Sequence, residues 1–309
     1  MDAKVCHVEV DGEVMLAAPR GGLFESLEGV KNPVAVGDEV LIDPAGNPVS
    51  LVEVLPRKNQ LSRTASSHDP REQVLASNVD QLFVIASVKQ PKFSSNRTDR
   101  ILAACEWQGI PAVVVMNKID LIKPDELAKL CATYASVPVE VLQTCATDGT
   151  GVEELRDRLR GKRSILYGAS GAGKSTLLNA LEPSLKLRVG TISRHWEQGK
   201  HTTTFSQLHH LEFGADVIDT PGIRVFRLHD VHRSELKGLF PEFARYENDC
   251  FFPNCTHDHE PDCAVLNALE VGKVARTRYM SYLEMLVEAS PDPPGYGDEE
   301  AEGEEGTEV

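Results

Sequence analysis

Residues 168–176 read GASGAGKST, and the predicted structure of the flanking segments follows from this sequence. It follows a short apolar run at 164–167 and leads into the helix-forming residues 177–181. A glycine loop between a strand and a helix is the context in which G-x-x-x-x-G-K-[ST] indicates a phosphate-binding loop. Its glycines let backbone N–H groups approach an anion, and the helix start directs the positive end of its dipole there. The alternative is an ordinary glycine turn before a helix.

Two side chains of this loop have predicted roles of their own. Lys174 is expected to reach the β- and γ-phosphates of a nucleotide, and the Ser175 hydroxyl is expected to bind Mg²⁺. The nucleotide-binding residues predicted here are Gly168, Ala169, Ser170, Gly171, Ala172, Gly173, Lys174, Ser175 and Thr176. The loop therefore predicts a bound nucleotide together with Mg²⁺.

A second motif, NKID at 117–120, ends the apolar run 112–116. A carboxylate at Asp120 can accept both N1–H and N2–H of guanine, and adenine offers no such donor pair, so the motif predicts GTP over ATP. Asn117 is expected to bond the base edge and to bridge neighbouring loops. The stem of Lys118 is expected to lie along the base, with Ile119 in the same loop. Helix capping by Asp120 is the alternative.

A third stretch, TCATDGTG at 144–151, follows the predicted strand 137–142. The small Ala146 would let its backbone N–H approach the guanine carbonyl oxygen, with Cys145 beside it in the nucleotide site. A plain turn is the alternative.

The stretch DTPG at 219–222 follows the predicted strand 216–218. Asp219 is expected to hold Mg²⁺ through a water, and the Gly222 N–H to sense the γ-phosphate, which makes the following segment a switch. The long polar loop before it ends in GKHTTTF, and a threonine hydroxyl there can cover Mg²⁺. Thr203 is the first choice, with Thr202 and Thr204 as alternatives.

These loops occur in an unusual order along the chain. The predicted base-reading residues precede the glycine loop here, whereas in GTPases of the Ras type they follow it. Ligand-binding loops of an open α/β sheet all leave the carboxyl ends of its strands, so a permuted connection leaves the site intact. The segment after Gly222 now leads directly into the C-terminal region.

The residue that orients the attacking water in Ras-like enzymes is a glutamine, and Ile223 stands in its place here. An apolar side chain cannot orient water. His201 is the nearest candidate for a catalytic role, and an exposed loop histidine is the alternative. We expect slow intrinsic hydrolysis that rises strongly with a partner.

A cluster of cysteines near the C-terminus has the spacing C-x4-C-x-H-x5-C. Three thiolates and one imidazole form a closed tetrahedral set for one structural zinc ion, and a disulfide is disfavoured in the cytoplasm. The predicted ligands are Cys250, Cys255, His257 and Cys263, with His259 as an alternative to His257. The helical segments that follow carry Lys273, Arg276 and Arg278, which predict a basic patch.

The amino-acid composition limits the class of protein and its cellular location. The 309 residues are 41% hydrophobic and 26% charged, as expected for globular protein. No apolar run is long enough to span a bilayer, and the first residues lack the apolar core of a signal peptide, so we expect a cytoplasmic protein with no membrane partner. The net charge is −15, but 292–309 holds eight acidic residues and no Lys or Arg, which leaves −15 + 8 = −7. We predict a disordered acidic tail at 291–309, with an autoinhibitory phosphate mimic as the alternative.

The chain divides into segments that differ in their hydrophobic pattern and charge. Short strands separated by turn residues up to about residue 55 predict a small β-barrel. The stretch 56–71 is basic and is predicted as a loop in which Arg57, Lys58 and Arg63 contact RNA backbone, with a solvated linker as the alternative. From about residue 80, strands alternate with helices and predict a parallel sheet covered on both faces.

Taken together, the chain resembles the bacterial RsgA family, the ribosome small-subunit-dependent GTPases. The resemblance covers residues 1 to about 288. It rests on the order of the motifs and on the stretches PRKNQLSR at 56–63, NKID at 117–120, GASGAGKST at 168–176, GKHTTT at 199–204, DTPGI at 219–223 and the cysteine cluster at 250–263.

The resemblance implies a multidomain α/β plus β protein. An N-terminal OB-fold β-barrel with its basic linker would occupy 1–70, a circularly permuted P-loop GTPase domain 71–228 and a C-terminal zinc-binding helical domain 229–290. It further implies a monomer that binds the small (30S) ribosomal subunit and its rRNA late in maturation. GTP hydrolysis to GDP would be stimulated by the subunit and would release the factor. The alternative is a GTP-dependent binding switch with a non-ribosomal RNA or protein partner, which the overall acidity favours.

Overall fold

The computed structural model describes residues 5–25, 29–187, 206–220 and 226–292. The strands are β1 (Cys6–Val10), β2 (Glu13–Pro19), β3 (Val40–Asp43), β4 (Val49–Val54), β5 (Gln60–Ser66), β6 (Asp69–Ser77), β7 (Gln81–Ser87), β8 (Ala112–Asn117), β9 (Glu140–Thr144), β10 (Arg163–Tyr167), β11 (Gln207–Leu211) and β12 (Ala215–Asp219). The α-helices are α1 (Gly22–Glu25), α2 (Ser95–Trp107), α3 (Pro124–Ala132), α4 (Val152–Leu159), α5 (Lys174–Leu181), α6 (Arg233–Leu236), α7 (Ala264–Glu270) and α8 (Arg276–Glu288). Short 3₁₀ turns lie at Ile119–Leu121, Pro183–Leu185, Lys237–Leu239, Phe243–Arg245 and Glu247–Asp249.

The N-terminal strands form a four-stranded sheet in the order β1-β2-β4-β3. The β1–β2 and β3–β4 pairs are antiparallel, whereas β2 and β4 are parallel. Ala17, Val49 and Leu51 are buried at its centre. The predicted short strands are therefore confirmed as a small β-rich unit at the N-terminus.

The predicted basic loop at 56–71 is wrong in its structure, because most of it belongs to the antiparallel hairpin β5–β6. Polar residues dominate the stretch, but Leu61 and Ala65 alternate with them and are buried, as is Val74 on the second strand. Single bridges join 30 to 72 and 36 to 76, so the hairpin pairs with the N-terminal unit. The predicted domain boundary at 70/71 thus falls inside β6.

The central sheet has six strands in the order β11-β12-β10-β7-β8-β9. The five strands from β12 to β9 are parallel to their neighbours. β11 is antiparallel to β12, because only residues 212–214 join them and a parallel crossover needs a dozen residues or more.

Helices cover both faces of the central sheet. β7 is buried along its whole length, and successive side chains of a strand point to opposite faces. Leu82 and Val84 pack on the side of α2, whereas Phe83 and Ile85 pack on the side of α4 and α5. This arrangement confirms the predicted α/β sheet with two covered faces.

The C-terminal module is built from the short helices α6 and α7, the long helix α8 and the turns between them. Phe240 and Phe243 stack with 5.3 Å between ring centroids, and Tyr282 packs against both of them edge to face. Its longest helix, α8, lies against α2 of the sheet domain, where the Arg100 guanidinium donates to both carboxylate oxygens of Glu288 at 2.7 Å.

The predicted basic patch after the cysteine cluster is wrong for Arg278, which is 1% exposed. Its guanidinium donates to both oxygens of Glu242, at 2.7 and 2.9 Å, and to Asp99 Oδ1 at 3.0 Å. A buried arginine needs such carboxylate partners, and Asp99 comes from α2, far away in the chain. The side chain therefore joins the C-terminal module to the sheet domain.

Candidate functional site

The four loops that carry the nucleotide motifs leave the same edge of the central sheet. They follow β10, β8, β9 and β12, which are parallel strands, so their carboxyl ends meet there. The register aligns Asn117 with Thr144 and Leu166 with Asp219. Although the motifs occur in a permuted order in the chain, their loops therefore meet at a single site.

Two glycines of the loop at 168–176 allow a close approach of the backbone to its neighbours. A Cβ on Gly168 would lie 2.5 Å from the Ile85 carbonyl oxygen. Gly173 has a φ of +104°, and a Cβ there would lie 2.4 Å from Asn117 Nδ2. A larger residue at either position would push the loop away from the strands beside it.

Lys174 begins α5, and its ammonium is held inside the loop. Its Nζ donates to the Gly168 carbonyl at 2.8 Å, and the residue is 9% exposed. Burial lowers the pKa of Lys174, and the charge of Asp219 opposes that shift. Ser175 and Thr176 follow in the first turn and are half-buried. A phosphate in the loop would replace the carbonyl as the partner of Lys174.

Asp219 ends β12 beside this lysine. Its Oδ1 atom is buried and has no hydrogen-bond partner among the described residues. Burial raises the pKa of Asp219, and Lys174 lowers it. A buried carboxylate oxygen without a partner is costly unless a ligand satisfies it, so Asp219 and the Ser175 hydroxyl fit the chemistry of a hydrated Mg²⁺. The neighbouring Thr220 hydroxyl donates to Leu166 O at 3.1 Å and ties the end of β12 to β10.

Asn117 joins the base-reading loop to the other two loops. Its Nδ2 donates to the Ala172 carbonyl at 2.8 Å, and its Oδ1 accepts from the Thr144 hydroxyl at 3.0 Å. Asn117 is 1% exposed. The contribution of Thr144 was not predicted, although its position at the end of β9, level with Asn117, is a signal that could have indicated it.

Lys118 spans the gap between two loops. It has a left-handed backbone with φ of 63°, and its Nζ donates to Gln90 O at 2.5 Å and to Gly171 O at 2.7 Å. Burial lowers its pKa. The Lys118 side chain thus links the loop after β7 to the phosphate loop, and its predicted contact with the base stays a prediction. Gln90, on the loop after β7, carries no sequence signal for this contact.

Asp120 lies exposed in the 3₁₀ turn Ile119–Leu121. The Cys145 thiol donates to Asp120 Oδ1 at 3.2 Å. Its sulfur also lies 3.0 Å from the Thr147 hydroxyl, and Ala146 beside it is half-buried. The thiol thereby orients the carboxylate, a role that the sequence prediction for Cys145 did not include.

Three of the predicted site residues, His201, Thr203 and Gly222, lie outside the described residues. The alternatives Thr202 and Thr204, and Ile223, lie outside them as well.

The structure brings the four predicted metal ligands together. The ligand atoms of Cys250, Cys255, His257 and Cys263 lie within 4.8 Å of one another. His257 Nδ1 is 3.4 Å from the Cys263 sulfur and 3.7 Å from the Cys250 sulfur. The side chain of His259, the alternative ligand, is 81% exposed and pairs with Asp258 instead.

The chemistry of this cluster fits a structural zinc ion. Burial, with the charge of Lys237, lowers the pKa of His257 to about 4, so its imidazole is neutral and can donate a lone pair. Three sulfur donors and one nitrogen donor form the closed tetrahedral set that zinc prefers. The Tyr279 hydroxyl donates to the His257 carbonyl at 2.8 Å, and Phe243 packs edge to face on the imidazole. These contacts hold the ligand loop against α8.

The three predicted RNA-binding residues differ in how far their side chains are exposed to solvent. Arg57 donates to Asp38 at 2.7 and 2.9 Å, and its side chain is 18% exposed. Arg63 donates to Gln73 at 3.1 Å and is half-buried. Lys58 pairs with Asp80 at 3.4 Å, and its side chain is 72% exposed. Lys58 is therefore the most accessible of the three.

The fold and the site define a circularly permuted P-loop GTPase with an N-terminal β-unit and a C-terminal module that could hold zinc. The family model described as RsgA GTPase matches residues 54–229. The chain belongs to the RsgA GTPase family and is a GTP hydrolase of that family.

Relatives and solved structures agree with this assignment. A protein of Flavobacterium psychrophilum named small ribosomal subunit biogenesis GTPase RsgA is 39% identical over 269 residues, covering 84% of this chain and 82% of its own. A Bacteroides thetaiotaomicron protein, small ribosomal subunit biogenesis GTPase RsgA 2, is 38% identical over 283 residues, covering 89% and 90%.

Among solved structures, YjeQ from Thermotoga maritima matches with a TM-score of 0.70 and 35% identity, covering 93% of this chain and 95% of its own. YloQ, described as a circularly permuted GTPase, matches with a TM-score of 0.63 and 28% identity, covering 92% and 90%. The predicted fold class is confirmed.

Within the described residues, every helix is too short or too polar to cross a bilayer.

Proposed function

We propose that this chain binds the small (30S) ribosomal subunit and assists its late maturation, with GTP hydrolysis stimulated by the subunit and releasing the factor. The nucleotide part of the proposal rests on the contact of Asn117 with both Ala172 and Thr144, which joins the predicted base-reading loops to the phosphate loop. Relatives of this chain are named for biogenesis of the small ribosomal subunit. We place the protein in the cytoplasm as a monomer, where small subunits mature.

Guanine recognition is assigned to the loops after β8 and β9. Asp120 is exposed and oriented by the Cys145 thiol, so its carboxylate can accept the two N–H groups that distinguish guanine from adenine. The Lys118 stem is assigned to cover the base, and the Ala146 N–H is assigned to the guanine carbonyl.

Phosphate binding and Mg²⁺ are assigned to the loop at 168–176 and its neighbours. The loop N–H groups and Lys174 would hold the phosphates, and the Ser175 hydroxyl, Asp219 and Thr203 would hold Mg²⁺, which neutralises charge on the phosphates when bound. The buried, unpartnered Asp219 Oδ1 supports this assignment. The Gly222 N–H is assigned to the γ-phosphate.

The catalytic role is assigned to His201, because Ile223 has no polar atom with which to orient water. An imidazole can hold a water by hydrogen bonding and accept its proton. Contact with the subunit would bring His201 into position, so hydrolysis by the free protein would be slow.

The zinc ion is assigned a structural role, and the N-terminal unit an RNA-binding role. Cys250, Cys255, His257 and Cys263 would hold the ion and so fix the short module around it. Lys58 is the most exposed of the predicted RNA contacts, so it is expected to contribute most to backbone binding among Arg57, Lys58 and Arg63.

The test is GTP turnover by the purified protein with and without purified small subunits at low salt. We expect slow turnover alone and an increase of about a hundredfold or more with subunits. Absence of stimulation would overturn the ribosomal assignment and leave a GTP-dependent switch with another partner. The variant H201A is expected to lose the stimulation, whereas H259A, at a side chain that is 81% exposed, retains it. Stimulation unchanged in H201A would remove His201 from the catalytic role.

A further inference from the structure

Two phenylalanines are exposed between two cysteines of the metal cluster. Phe251 is 71% exposed and Phe252 is 40% exposed. Their rings meet edge to face with 4.9 Å between centroids, so they form one apolar surface. Adjacent large apolar side chains in water are a feature of binding surfaces, whereas single exposed ones are ordinary.

The loop that carries this pair is held in place from both ends. Cys250 and Cys255 flank it and belong to the metal cluster. The Phe251 N–H donates to Asp262 O at 3.4 Å, and the Cys255 N–H donates to Phe252 O at 3.1 Å. A partner would therefore meet a surface that is already ordered, which lowers the entropic cost of binding.

The charge around the pair decides between two kinds of partner. Residues 246–263 hold five acidic residues and no Lys or Arg. Asp249 and Asp262 are both exposed, and Asp262 is in backbone contact with Phe251. Negative charge repels the phosphates of RNA and attracts a basic polypeptide. Arginine also stacks favourably on aromatic faces.

We propose that the Phe surface, defined as residues 249–254 with Asp262, docks a lysine- and arginine-rich protein segment of the small ribosomal subunit that inserts an apolar or guanidinium side chain against Phe251 and Phe252. This inference rests on the proposed function. It adds a protein contact on the C-terminal module to the RNA contacts assigned to the N-terminal unit.

The test is photo-crosslinking from Asn254, an exposed residue of the same loop, replaced by p-benzoylphenylalanine. The zinc-loaded full chain is bound to purified small subunits with a non-hydrolysable GTP analogue and irradiated. We expect an adduct that resists ribonuclease, is destroyed by protease and contains a basic ribosomal protein. The double variant F251S/F252S is expected to reduce that adduct by about tenfold or more, while V287S, at a residue that is 81% exposed on α8, leaves it unchanged.

The zinc content and melting midpoint of F251S/F252S are compared with those of the parent chain. If both are unchanged, a weaker adduct reflects loss of the docking contact and not loss of the fold. An adduct on rRNA, an adduct within the chain, or no adduct from a chain that co-sediments with the subunit would overturn the docking proposal alone. An adduct that survives the double substitution would overturn it too. A chain that neither co-sediments with subunits nor responds to them in GTP turnover would overturn the proposed function and this inference together.

Discussion

The Asn117 side chain donates to the Ala172 carbonyl across 2.8 Å, although the two residues belong to loops that are 55 positions apart in the chain. The same side chain accepts from Thr144, so three loops meet at one buried amide. The order of the motifs in the chain is therefore irrelevant to the site, because the sheet register and this amide bring the loops together.

Replacing the Asn117 side chain tests whether its amide holds the three loops together. In N117A the Ala172 carbonyl and the Thr144 hydroxyl lose a buried partner, so we expect GTP and GDP affinity to fall by about ten- to a hundredfold. Equilibrium binding of a fluorescent guanine nucleotide measures it. N267A, at an exposed position on α7, is the control. Unchanged affinity in N117A would mean that the loops are held by other contacts.

The Cys145 thiol offers a finer test of how Asp120 is oriented. A serine keeps a donor at this position, whereas an alanine removes it, so C145A is expected to bind GTP about two- to tenfold more weakly and C145S to bind it nearly as the parent does. C131A, at a half-buried cysteine of α3, is the control. Equal binding by C145A and the parent would show that the thiol contact does not contribute.

The two histidines near the cysteine cluster are expected to behave oppositely. H257A removes a predicted metal ligand and should lose bound zinc and lower the melting midpoint, because the metal supplies much of the folding free energy of this module. H259A, whose side chain is 81% exposed, should keep both. Metal analysis of the purified proteins decides the point, and zinc loss in H259A rather than H257A would reverse the ligand assignment.

A histidine clasp joins the N-terminal sheet to the central sheet. His210 Nε2 lies 2.7 Å from Glu9 Oε2, and its Nδ1 lies 2.7 Å from Asp216 Oδ1. Arg163 approaches Asp216 at 3.4 Å on the other side. The hydrogen bond with Asp216, followed by that with Glu9, raises the pKa of His210 above its ordinary value of 6.5.

The pH dependence of this clasp follows from the raised pKa. Because the folded pKa lies above the unfolded one, the stabilisation is complete below pH 6.5 and is lost as the pH rises through the folded pKa. The melting midpoint of the parent should therefore exceed that of H210Q at about pH 5.5, and the gap should shrink by about pH 9. H68Q, at an exposed turn, should show no such trend. A gap that widens with pH would contradict the charged clasp.

Much of the central domain could be predicted because its signals are local. The apolar run 112–116 forms most of the strand Ala112–Asn117, and the predicted strand 216–218 lies within Ala215–Asp219. Each is marked by an apolar run or period and by turn residues at its ends. The β5–β6 hairpin was missed because its buried side chains are few and are separated by polar residues, so the basic composition dominates the pattern.

The contacts that orient the site depend on residues far apart in the chain, and no local pattern carries them. Lys118 reaches the Gln90 carbonyl, which any residue type would offer. Arg278 resembles a surface cation in sequence, but its partner Asp99 lies 179 positions earlier. The motifs predict which residues act on the nucleotide, whereas the fold determines what holds them in place.

Asp120 is expected to select guanine in a permuted GTPase site whose turnover the small ribosomal subunit stimulates. The variant D120N exchanges one acceptor oxygen for a donor, which no longer suits the guanine N–H pair but suits the carbonyl of xanthine. D125N, at an exposed acid of α3, is the control. The most direct measurement is turnover of GTP, XTP and ATP by the parent and both variants, with and without purified small subunits.

We expect subunit-stimulated GTP turnover by the parent and D125N, a loss of about a hundredfold or more for GTP in D120N, and stimulated XTP turnover by D120N. ATP should be a poor substrate for all three proteins. Equal turnover of ATP and GTP by the parent would contradict guanine selection by Asp120, and the absence of any stimulation by small subunits would contradict the ribosomal assignment.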